Sequence, residues 1–161
     1  MGARRILVPV DFSKTSTKAV LAAQRLAAAT PSEIVLLHVV QPVIIGASPD
    51  VYGASQVLLS VVADQEKLAK RQIERLAARV RRQSGATVKT LVRVGAPYER
   101  ILGAAERISA DLIVMGTQGR SGLSHLFLGS VAERVVRLAK CPVLTVGARA
   151  RVAASPRRRK R

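Results

Sequence analysis

The chain has 161 residues, 48% of them hydrophobic, and carries 27 lysines and arginines against 10 acids, for a formal charge of +17. That size holds one buried core and is short for two ordinary domains. The single cysteine, Cys141, excludes an intrachain disulfide framework; no apolar run is long enough to span a bilayer, and the stretch after Arg4 and Arg5 is too short for a secretory leader. A cytoplasmic protein is expected.

The run Ile6-Leu7-Val8-Pro9-Val10 reads as the first strand, with Pro9 near its end because proline cannot donate to a ladder. Asp11 and Ser13 follow, either able to accept from helix N-terminal amides, and Ala19 to Ala29 supplies a small-residue helix. Glu33 to Val40, apolar on both faces apart from His38, suits a strand covered on both sides; His38 reads as a packed residue rather than a ligand. Gly46 to Ala54 is loop-like in composition. Ser55 to Gln83 reads as one long amphipathic helix, with Leu58, Val61, Val62, Leu68, Ile73, Leu76, Ala77 and Val80 recurring at three and four, and it stops at Ser84-Gly85.

Thr87 to Val94 alternates as an edge strand does. Gly95-Ala96-Pro97 then turns into a helix with Ile101, Leu102, Ala105 and Ile108 on its inner stripe. Asp111 to Met115 is a fourth strand, Val131 to Ala139 a fourth helix, and Val143 to Val146 a fifth strand beyond Cys141-Pro142. Strands alternating with helices imply a doubly wound α/β domain with a parallel sheet, and no internal repeat interrupts the pattern. The domain is expected to cover residues 1–148. Residues 149–161, with seven cations, read as a disordered basic tail. Such a tail is either a solvated end or an arm for nucleic acid or an anionic surface. Phe12, Phe127, Tyr52 and Tyr98 are too few for a base-stacking platform.

The most informative segment is Gly116-Thr117-Gln118-Gly119, nine further residues, then Gly129-Ser130. Glycines permit close backbone approach, and the first amides of a helix attract anions. Ser130 with Glu133 spells a capping box. Arg120, the nearest cation in this loop, is either solvated or paired with phosphate, and His125 is a conceivable base. Asp11 faces this loop if the first and fourth strands are neighbours. A Walker-type G-x-x-x-x-G-K-[ST] is missing, and so is G-x-G-x-x-G after the first strand.

These residues resemble the universal stress protein family, whose ATP-binding members carry G-x2-G-x9-G-[ST]; Gly116, Gly119, Gly129 and Ser130 match it at every spacing. The segments from Ile6 to Ser13, Leu36 to Val39, Gly95 to Pro97 and Cys141 to Leu144 are also similar, so the resemblance covers residues 4–147. It implies a five-stranded Rossmann-like parallel sheet in the order 3-2-1-4-5 with helices on both faces. It also implies ATP, with magnesium or manganese as an open companion, held by Pro9, Val10, Asp11, Ser13, Val39, Met115, Gly116, Gly119, Arg120, Gly129, Ser130 and Val131. A homodimer through Val143, Leu144, Thr145 and Val146 is implied as well. The expected function is a nucleotide-dependent regulatory or stress-response dimer with no catalytic residue assigned. The alternatives are a slow ATPase using His125 or Asp11, and an electrostatic nucleic-acid binder acting through the tail. Cys141, with no histidine near it in sequence, reads as an inert buried thiol.

Overall fold

The computed structural model describes residues 5–42, 54–117 and 129–152. Among these residues nine elements follow one another: β1 (Arg5–Pro9), α1 (Lys14–Ala29), β2 (Glu33–Val40), α2 (Ala54–Ser84), β3 (Thr87–Val94), α3 (Pro97–Arg107), β4 (Leu112–Gly116), α4 (Ser130–Leu138) and β5 (Val143–Val146). All strand pairs are parallel and the order is β3-β2-β1-β4-β5. β1 and β4 are therefore neighbours, with Ile6 opposite Leu112 and Leu7 opposite Ile113. Strand order reverses between them, which opens a crevice at their carboxyl ends.

The two faces of the sheet bury separate layers. Ile6, Val8, Ile34, Leu36 and Val114 point to α1 and α2, where they meet Ala19, Val20, Ala23, Ile73, Ala77 and Val80. Leu7, Val35, Leu37, Ile113 and Met115 point the other way, against Ile101, Ala104 and Ala105 of α3 and Ala132 and Val135 of α4. This strict alternation is what turns continuous apolar runs into two-sided burial.

Several boundaries differ from the expectation by local causes. α1 begins at Lys14, five residues before the small-residue run, because the Ser13 side chain accepts from the Ser16 amide and starts the helix there. β1 and β4 each shift by one residue, with Pro9 the last of β1. In α2 the inner face is Ala69, Ile73, Ala77 and Val80, whereas Val61 and Leu68, assigned to the apolar stripe by spacing, are 45% and 56% exposed. The helix has 31 residues, about 46 Å at 1.5 Å each, while the eight-residue β2 spans about 27 Å. The helix is thus longer than the strand, and among the described side chains of its N-terminal half only Ala69 is fully buried.

Gly95 has φ +135 and donates its N–H to Val40 O, tying the exit of β3 to the end of β2. Arg149 to Val152, read from sequence as the start of the tail, are among the described residues. Ala150 and Val152 lie against the core, and the Lys18 ammonium donates to the Ala148 carbonyl. Residues 153–161 and most of the Gly46 to Ala54 loop lie outside the described residues. Among the described residues no helix is long and apolar enough to cross a membrane.

Candidate functional site at the carboxyl ends of β1 and β4

The corner after β1 is built by four contacts. Val10 N–H donates to Leu37 O at 2.8 Å, and His38 Nδ1 donates to Val10 O at 2.7 Å, the carbonyl being able only to accept. The Phe12 ring lies 4.8 Å from the His38 ring. Asp11 Oδ1 accepts from the Ser13 N–H at 3.0 Å. The chain turns so tightly that Phe12 is held at φ +64, a left-handed conformation rare for a bulky residue. Burial alone would raise the Asp11 pKa, but hydrogen bonds from the Ser13 side chain and amide and from Ser16 outweigh it and hold the carboxyl below its ordinary value.

On the other side of the crevice, Gly116 ends β4 against the first turn of α1. A Cβ at Gly116 would sit 3.0 Å from the backbone carbon, Cβ and Oγ1 of Thr15. The glycine is needed for the approach of strand to helix, so its smallness serves the fold as well as any ligand. Thr117 N–H then donates to Val146 O, and Thr117 O accepts from Gly129 N–H at 2.7 Å. That last bond brings the two ends of the glycine segment together, twelve residues apart in sequence.

It also corrects the capping box. Gly129, not Ser130, is the N-cap of α4, and Ser130 is the first helical residue; Glu133 N–H bonds to Gly129 O, and no side chain caps the terminus. The amides of Ser130, Val131 and Ala132 consequently find no acceptor among the described residues. An uncapped helix N-terminus whose first amides lack partners carries a partial positive charge and is suited to an anion.

Of the expected site residues, Asp11 and Ser13 follow β1, Gly116 ends β4, and Gly129, Ser130 and Val131 open α4, so the pairing of β1 with β4 puts them at the carboxyl end of the sheet. Val10 and Met115 are 5% exposed with their side chains in the core, so only their main chains reach it. Pro9 ends β1 and Val39 lies near the end of β2, half-buried against the α3 and α4 layer. Gly119, Arg120 and His125 lie outside the described residues. Thr15 and Thr117 were missed. Thr15 Oγ1 lies 3.0 Å from Ser13 Oγ, and the signal for it was the hydroxyl cluster Thr15-Ser16-Thr17 directly after the cap. Cys141 is half-buried, not fully buried, and burial raises its pKa. Among the described residues no group of three His, Cys, Asp or Glu stands ready for a metal ion.

A family model described as the universal stress protein family matches residues 2–147. Universal stress protein MJ0531 of Methanocaldococcus jannaschii is 33% identical over 147 residues, covering 89% of this chain and 81% of that protein. The solved structure of MJ0577 from the same organism has a TM-score of 0.80 at 28% identity, over 94% of this chain and 100% of that one. A universal stress protein solved in complex with cAMP has a TM-score of 0.57 at 26% identity, over 91% and 98%. With sheet order, crevice and sequence match in agreement, this chain belongs to the universal stress protein family.

Proposed function

We propose that the chain is a nucleotide-binding regulatory module that takes ATP, as a homodimer in the cytoplasm, with little or no turnover. The observation that supports this reading is the set of Ser130, Val131 and Ala132 amides that find no acceptor among the described residues, at the start of the helix after β4, while Asp11 follows the neighbouring β1. Phosphate oxygens would take those amides, and the carboxylate would take ribose hydroxyl or base donors. Gly119 and Arg120 would complete the phosphate side, and Pro9, Val10, Ser13, Val39 and Met115 the adenosine side. The cAMP complex of a relative supports an adenine nucleotide as the ligand class. A magnesium or manganese ion would travel with the phosphates. The lowered pKa of Asp11 makes it a weak base, which argues for binding over hydrolysis. Residues 1–148 would form the binding domain, with Ala150 and Val152 packed on its core and the basic residues beyond them an appendage.

Ser130→Pro tests the phosphate contact directly. Proline is favoured at the first helical position, and Gly129, at φ −60 and ψ 149, already has the conformation required before proline. The fold is therefore kept while one amide donor is removed. ATP affinity measured by calorimetry should fall roughly 10- to 100-fold, the range of a hydrogen bond to a charged group, and Ser130→Ala should lose much less. Equal affinity in Ser130→Pro and the parent would refute the amide cradle.

A further inference from the structure

The two helical layers differ in charge. α3 and α4 together carry four basic and three acidic residues, whereas α1 carries three basic and no acidic ones and α2 carries seven basic against three acidic. On α2 the acids are already used. Lys67 pairs with Asp64, Lys70 with Glu66, and Arg81 with Glu74 while also donating to Val88 O. Arg71, Arg75, Arg79 and Arg82 remain, all exposed, and none makes an ion pair or hydrogen bond among the described residues. Their spacing of four, four and three puts them within an arc of about 80° on a 3.6-residue helix, over a length of about 16 Å. The stripe of Ala69, Ile73, Ala77 and Val80, buried on the sheet, lies on the opposite side of α2. Gln24 of α1 reaches Gln83 at the end of this row, so exposed Arg25 adds a cation beside it.

Like charges at i and i+4 destabilise a helix by a few tenths of a kcal/mol per pair, and among the described residues no carboxylate pairs with these four. A linear polyanion would. Two features favour a nucleic-acid backbone over a lipid surface. Over the turns from Arg71 to Arg82 the large apolar side chains of α2, Ile73, Leu76 and Val80, are buried or half-buried rather than exposed for insertion into acyl chains. Nor do the described residues offer a base-stacking surface: the aromatics among them are Phe12, packed on His38 at the strand ends, and Tyr98, on the other layer beneath Arg134. Contact with phosphates alone, without base stacking, fits a duplex rather than an unpaired strand.

We propose that the α1 and α2 layer is a docking surface for the phosphate backbone of double-stranded nucleic acid, read without regard to sequence, with Arg71, Arg75, Arg79 and Arg82 as its contacts. The surface is independent of the nucleotide crevice and of the residues beyond Val152. Leu68 and Val61, exposed on the same side of α2 toward its N-terminus, are the residues an anionic membrane would use instead, which makes lipid the competing outcome.

The test measures binding of a fluorescent duplex by the full chain from about 50 to 200 mM salt, where each neutralised phosphate contributes a slope of about −0.9 in log K against log salt. The quadruple variant R71Q/R75Q/R79Q/R82Q should bind more weakly with a slope shallower by about 3 to 4. The quadruple lysine variant should stay close to the parent, and ATP affinity and thermal midpoint should report an intact fold in both. DNA and RNA duplexes in parallel distinguish the source of the backbone. The proposal is overturned if the parent does not bind the duplex, or if the glutamine variant keeps the parental slope. It is equally overturned if the substitutions abolish binding to phosphatidylserine vesicles while leaving duplex binding unchanged.

Discussion

Asp11 and Ser13 show how much of the crevice is set by single side chains. Ser13 caps α1 through the Ser16 amide, and Ser13→Ala should lower stability by about 1 kcal/mol in urea unfolding. Asp11 has its folded pKa depressed below 3.8, so the stability it contributes is fully present at neutral pH and is withdrawn as pH falls through the folded value. Asp11→Asn should therefore be less stable than the parent at pH 7, and the two should converge as pH falls below about 4; a constant gap down to acid unfolding would contradict the linkage. Gly116→Ala forces a methyl against the Thr15 backbone at 3.0 Å and should be destabilising by about 1 to 3 kcal/mol, read from the denaturation midpoint, with loss of ATP affinity as the crevice is pushed open. Ser13 was legible in the sequence because a hydroxyl cap acts within three residues. Ser130 was misread as a cap because the Gly129 N–H is taken by Thr117 O, a partner twelve residues back that no local motif reveals.

Among the elements, α2 separates pattern from packing. Its apolar residues recur at helical spacing along its whole length, yet among the described side chains the fully buried ones, Ala69, Ile73, Ala77 and Val80, all lie from Ala69 onward. Ile73, 1% exposed, should lose about 2 to 5 kcal/mol on substitution by alanine. Leu68→Ala, at a 56% exposed position, should stay within about 0.5 kcal/mol, and comparable losses at the two positions would mean that a partner covers Leu68. Strands were the better-read elements. β2, β3 and β5 agree with their sequence boundaries to the residue, because short apolar runs closed by proline, glycine or serine leave little room for error. The start of α1 was missed since its first turn is polar, and its hydroxyls are buried by tertiary contact: Thr15 is 7% exposed and Ser16 4%.

At the scale of the molecule, β5 is an edge strand and Leu144 on it is 40% exposed, with Val136 and Leu138 of α4 also open to solvent. An apolar edge of this kind invites pairing with a second copy. Leu144→Arg should convert a sedimenting dimer to a monomer while leaving the circular dichroism spectrum unchanged; a parent that sediments as a monomer would remove this interface. The excess charge, evident in composition, proves to be unevenly placed, concentrated on the α1 and α2 layer rather than only in the terminal residues. By itself the amino-acid sequence determined the alternation of strands and helices, the parallel sheet it requires, and the glycine spacing that marks a family, since all three depend on local periodicity and turn chemistry. Tertiary structure alone decided which of α2's described apolar residues are buried, which residue begins α4, and that the turn after β1 and the start of α4 follow the same ends of neighbouring strands. Those facts rest on contacts between residues far apart in the chain, and no pattern within a short window carries them.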